Sequence, residues 1–168
     1  MPEIDVAMLV LRVWLGTVML AHGVKHLRGR ERTTNWLASI GYRQAPLQWL
    51  AMTASEIGAG ALLVVGLLTS PASAAVVAIA VVAYATVHHK AGFWVTARPD
   101  EGWEYVATLA AAALALAAVG PGRLSLDHAI GIADDLDGWV GIVVAIAGAA
   151  LSAVQLAAFF KPSAADAG

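Results

Sequence analysis

Five stretches of this sequence are long and apolar enough to cross a lipid bilayer, and that feature restricts the fold more than any motif does. They run roughly over 6–27, 48–68, 71–88, 103–119 and 139–160. Each approaches the roughly 20 residues needed to cross about 30 Å of hydrocarbon at about 1.5 Å per residue. Only 13% of the residues are charged and 60% are hydrophobic, whereas soluble domains carry about 25% charged residues. Ala, Val, Leu and Gly dominate the five stretches without the alternation of a membrane barrel, so their backbone polar groups must be satisfied within helices. The predicted fold class is an all-α integral membrane protein in one membrane domain. The first stretch opens with the acidic "MPEID" and its basic residues follow the apolar run, so it is expected to stay in place rather than act as a cleaved signal peptide.

Cysteine is absent, which excludes a disulfide framework, a thiolate metal site and a dithiol relay within this chain. Any thiol step would belong to a partner.

The net charge of −2 conceals a strong asymmetry. Lys25, Arg28, Arg30, Arg32 and Arg43 lie between the first and second stretches, Lys90 and Arg98 between the third and fourth, and Lys161 after the fifth; the alternate side holds Arg123 alone. The positive-inside rule then predicts a multi-pass protein of the cell (inner) membrane with the N-terminus outside and the C-terminus in the cytoplasm. The outer loop before the fifth stretch carries Asp127, Asp134, Asp135 and Asp137. The basic inner loop, 28–46, places Trp36, Leu37 and Ile40 at helical spacing after Thr34 and Asn35, with Gly41 as a stop. It reads either as an amphipathic helix lying on the inner membrane face or as a surface helix packed on the bundle. The basic loop is explained by membrane orientation, so nucleic acid is not an expected partner.

Two ionisable residues sit deep in the apolar stretches, and such groups usually face the protein interior with a partner. Glu56 is expected roughly 18 Å from the outer end and Arg12 roughly 9 Å from it. An arginine side chain together with helix tilt can span that difference, so Arg12 and Glu56 are the expected buried ion pair. Arg12, Gly16, Met19, Gly23 and His26 fall on one helical face. The glycines on that face would admit another helix closely, as would Gly60 beside Glu56.

The other polar residues of the stretches gather in one layer toward the cytoplasmic side: His22, Lys25 and His26; Tyr84, His88 and His89; Glu104 and Tyr105. Such a layer beside Phe93, Trp94 and Trp103 suits a polar ligand head, a proton relay, a metal or a haem. The competing reading takes Lys25, Trp94, Trp103 and Tyr105 as interfacial anchors and Glu56 and Glu104 as buried pairs that fix helix register. A carboxylate-bridged metal bundle needs Glu-x-x-His, but Glu56 and Glu104 are followed at that spacing by Ala59 and Ala107. No metal is therefore expected. Haem between His22 or His26 and His88 or His89 is disfavoured because these histidines stand near helix ends.

The order of these pieces resembles the DoxX family of small integral membrane proteins. The resemblance runs from about Leu11 to Asp127 and rests on "LRVWLGTVMLAHGVKHL", "SEIGAGALLVVGLLT", the histidine pair before "GFW", "GWEY" and "GPGRLSLD". It implies a DoxX-like core of four helices over 1–127, with 128–168 adding the acidic outer loop and a fifth transmembrane helix. It also implies an association with membrane redox chemistry, in complexes that oxidise quinols or defend against oxidative stress. Its matching polar positions are Arg12, His22, Lys25, Glu56, His89 and Glu104, without an established catalytic role. The related bundles that reduce quinones with thiols use cysteines, which are missing here. The leading expectation is a membrane subunit binding a quinone or similar lipid-soluble carrier, with electrons supplied by a cytoplasmic redox protein. The alternatives are a scaffold docking soluble redox partners at the basic face and a transporter of small solutes or protons. Homo-oligomers are compatible with each.

Overall fold

The expected spans become apolar helices in the computed structural model, which describes residues 2–162. Positions 163–168 of the expected C-terminal segment lie outside the described residues. In order come α1 (Pro2–Arg28), α2 (Arg30–Ser39), α3 (Ala45–Val65), α4 (Thr69–Ala83), α5 (Glu104–Val119), the single turns α6 (Leu126–Ala129) and α7 (Ala133–Leu136), and α8 (Gly138–Phe159). Among the described residues, α1, α3, α8 and α4 with its continuation to Ala91 are long and apolar enough to cross a membrane. The fourth expected span is shorter. With 16 residues, α5 reaches about 24 Å, because the Trp103 loop precedes it and Gly120 (φ 90°) stops it.

Local chemistry sets the ends. Glu3 and Asp5 occupy the first turn of α1 and Lys25, His26 and Arg28 its last, each sign matching the helix dipole. At the end of α3, Gly66 adopts φ 70° and its N–H donates to the carbonyls of Leu62 and Leu63, a left-handed cap that glycine enters without a Cβ clash. One expectation needs correction at α2. Thr34 and Asn35 do not cap it: the helix starts at Arg30, after Gly29, and carries both residues inside, while Gly41 does end it with φ 107°. Leu37 is buried with Tyr42, Ala45 and Trp49, so α2 is anchored on the start of α3, with Trp36 partly exposed.

α1, α3, α4 and α5 form a ring in which each packs on the next, and α8 covers α4 and α5 from outside. Inside the ring, Leu15, Met19, Leu63, Val76 and Leu116 make the core. Lipid cannot drive such packing by hydrophobicity, so small residues and close contact must. The seam between α1 and α3 shows this. A Cβ on Gly16 would meet the Gly60 carbonyl oxygen at 2.7 Å, and one on Gly60 would meet that of Gly16 at 2.8 Å. Outward from the ring, Val10, Trp14, Val143, Ile146 and Val154 are exposed, apolar surface that suits a bilayer. The chain is a multi-pass membrane protein.

Alternation of direction puts the ends of α1, α4 and α8 beside the starts of α3 and α5, and the basic loops share this end. The opposite end carries the acidic loop. The bundle thus has a basic end and an acidic end.

Candidate functional site

Two polar centres occupy the bundle, one at each end, and they divide between them the residues expected to form one ion pair. Arg12 does not pair with Glu56. Its Nη1 donates to the carbonyls of Leu63 at 3.0 Å and Val64 at 2.6 Å, and its Nη2 donates to the Leu124 carbonyl. Nη1 thus takes carbonyls at the C-terminus of α3, where a helix runs short of internal donors, and Nη2 takes one from the loop before α6, while Nε is buried without a hydrogen-bond partner. Asp127 supplies the matching negative charge. Its carboxylate accepts from the N–H groups of Leu68 at 2.6 Å and Thr69 at 2.9 Å, capping the start of α4 as a carboxylate should. Sequence reasoning placed Asp127 in the acidic loop but missed this role.

Glu56, 3% exposed, instead meets His26, with Nδ1 to Oε2 at 2.8 Å. The reason is register. Antiparallel packing sets Gly23 of α1 against Ile57 and Glu56 of α3, so the histidine one turn beyond Gly23 reaches the carboxylate, whereas Arg12 lies three turns toward the acidic end. Trp49 Nε1 donates to the His26 carbonyl at 3.0 Å and fixes the end of α1. His22 lies one turn before His26, with ring centroids 6.2 Å apart in an edge-on arrangement.

These groups open onto a cavity of about 670 Å³. Of the expected polar layer, His22, His26, His88 and Tyr105 line it together with Glu56; Lys25, Tyr84, His89 and Glu104 do not. Lys25 and His89 are exposed. Tyr84 stacks edge-on to Trp103 at 6.1 Å, and Glu104 accepts the Val95 N–H at 3.0 Å, so both organise the 92–103 loop. The difference arises where α4 widens into a π-helical turn over Tyr84–His88, a device frequent at functional sites. His88 faces the cavity there, and its Nδ1–H donates to the Glu101 carbonyl at 2.6 Å.

The cavity also has polar residues the sequence reading overlooked. Gln155 Nε2 donates to Gln48 Oε1 at 2.5 Å. Tyr42, buried at 7% exposure, has a hydroxyl without an aligned hydrogen bond, as does Gln155 Oε1. Gln155 is the sole amide in the apolar run of α8, which was the available signal. Backbone bonds from Arg43 to Phe159 and from Lys161 to Gly41 clamp the Tyr42 turn onto the end of α8. Apolar wall completes the site, with Met19, Ile79, Val106 and Leu109 facing the histidines. Such a cavity can hold a largely apolar molecule and present hydrogen-bonding groups to one part of it.

The family model for DoxX matches residues 7–89, from the second turn of α1 to His89. Helix α5, the Asp127 loop and α8 lie beyond the match, although the sequence resemblance was expected to reach Asp127. No curated protein and no solved structure matches the chain. The matched segment carries the α1–α3 seam, the His26–Glu56 pair and the π turn in sequence, and by it the chain belongs to the DoxX family.

Proposed function

We propose that this DoxX protein is a membrane subunit that binds a quinone, or a lipid-soluble carrier of similar chemistry, in the cavity beside His22, His26 and Glu56. The observation that carries the reading is the placement of His22, His26 and the buried Glu56 carboxylate on a mostly apolar cavity within the bundle. Quinone reduction adds two electrons and two protons. The chain's own residues deal with the protons and the binding. His22 hydrogen-bonds a ring carbonyl, and the His26–Glu56 pair holds a proton at Nδ1 or Oε2 close by. His88 and Tyr105 at the basic end link this pair toward the aqueous side. Electrons come from a redox protein docking at the basic end, which the charge asymmetry turns to the cytoplasm of an inner-membrane protein.

The test is equilibrium binding of decyl-ubiquinone to the purified protein in lipid nanodiscs. Saturable binding is expected, with His22→Ala weakening it about tenfold, the loss of one hydrogen bond of about 1.4 kcal/mol. Absence of saturable binding by the folded wild-type protein overturns the reading. A scaffold would then show itself by losing soluble partners when Arg28, Arg30 and Arg32 are reversed in charge.

A further inference from the structure

The cavity is longer than a quinone ring requires. Its lining runs along α4 from Pro71 to His88, about 25 Å at helical rise, which is most of the hydrocarbon thickness. Its volume of about 670 Å³ is drawn out along that length, a shape that suits an extended chain rather than a compact solute. Three helical stripes wall the elongated part: Ala51 and Ser55 from α3, Ala75 and Ala78 from α4, Gly148 and Leu151 from α8. Ala51, Ser55 and Leu151 are exposed, so the groove between α3 and α8 opens sideways at membrane depth. Polarity is segregated along it. Gln48, Gln155 and the Tyr42 hydroxyl gather at the basic end, and the wall from Leu151 to Pro71 offers almost nothing but alkyl groups.

Resting on the reading that the cavity takes a quinone-like head, we propose that the α3/α8 groove is the binding site for that ligand's hydrocarbon tail and its lateral entrance from the bilayer. The ligand is a long-chain amphiphile, its head beside His22 and Glu56 and its chain on the alanine face of α4. Helix α8, which lies outside the family match, is the wall that makes this site. The Tyr42 hydroxyl and Gln155 Oε1, buried without aligned partners, close the basic end with polar atoms that a tail avoids and a head group can satisfy.

The experiment compares two probes in nanodiscs, decyl-ubiquinone and the same ring without the tail, on wild type and on Ser55→Leu, Ala78→Leu and their combination. Affinities are referred to each probe's concentration in the bilayer, and folding is checked by gel filtration and the thermal midpoint. Filling the groove is expected to weaken the decyl probe about tenfold while the ring alone changes less than about twofold. Equal response of the two probes, or none, overturns the groove and leaves the head site standing. Failure of both probes to bind wild type overturns the head site and the groove with it. A second measurement avoids substitution altogether: a decyl-ubiquinone with a diazirine at the tail end is photolysed on wild type. Labelling of α3 and α8 around Ser55 and Leu151, competed by unlabelled decyl-ubiquinone, supports the tail site; labelling confined to outward residues such as Trp14 and Val143 overturns it.

Discussion

His26 Nδ1 stands 2.8 Å from Glu56 Oε2, and this pair, rather than one with Arg12, is what makes a carboxyl tolerable in the middle of α3. Removing one member of a buried pair leaves the other without a partner, at a cost of about 1–3 kcal/mol. His26→Ala is therefore expected to lower the thermal midpoint in detergent, and Glu56→Gln to cost less, because an amide still bonds the imidazole. A double-mutant cycle separates the two candidate partners. Coupling of about 0.5–3 kcal/mol is expected between positions 26 and 56, and additivity within about 0.5 kcal/mol between 12 and 56, which share no bond. Strong coupling of Arg12 to Glu56 would sink this assignment.

Arg12 and Asp127 belong to a clasp at the other end. The carboxylate caps α4 through two backbone N–H groups, and the guanidinium caps α3 through the Leu63 and Val64 carbonyls. Asp127→Ala removes the α4 cap, so a loss of about 1–2 kcal/mol is expected, with Asp127→Asn milder because its amide oxygen still accepts one N–H. Amide hydrogen exchange should speed up at Leu68 and Thr69 first. Unchanged exchange there in Asp127→Ala would show that the clasp does not hold the α3–α4 turn.

What the sequence made legible, and what it hid, divides along the range of the interaction. Helix existence followed from apolar length, and the inward face of α1 from the spacing of Arg12, Gly16, Met19 and Gly23, all of them buried; these are properties of one segment. The gathering of His22, His26 and His88 toward one end was legible as well, since alternating helix direction fixes depth, whereas Glu56 was expected deeper, beside Arg12. Pairing was not legible. Depth arithmetic allowed Arg12 to reach Glu56 because it ignored the competing acceptors at the end of α3, which appear only when the carbonyls of Leu63, Val64 and Leu124 converge. Tyr42 and Gln155, 113 positions apart by their numbers, meet only through the clamp between the α2–α3 turn and the end of α8. No local pattern encodes that closure.

Tyr42 offers a pH test of that closure. Burial pushes its phenol above the ordinary 10.0, with the neighbouring Gln155 amide pulling weakly the other way. The sign follows from proton binding: above pH 10 the unfolded phenol ionises first while the folded one stays neutral, so the unfolded state binds fewer protons and stability falls as pH rises. Below about pH 10 this contribution is constant. Tyr42→Phe is expected to flatten the alkaline limb of the thermal midpoint above about pH 10. At neutral pH and without ligand the change should be neutral or mildly stabilising, because the hydroxyl it removes lacks an aligned partner and a buried unbonded hydroxyl is a cost. A loss above about 1 kcal/mol at neutral pH would mean that the phenol bonds Gln155 well in the free protein, and an unchanged alkaline limb would mean that Tyr42 is solvated rather than sealed against the end of α8.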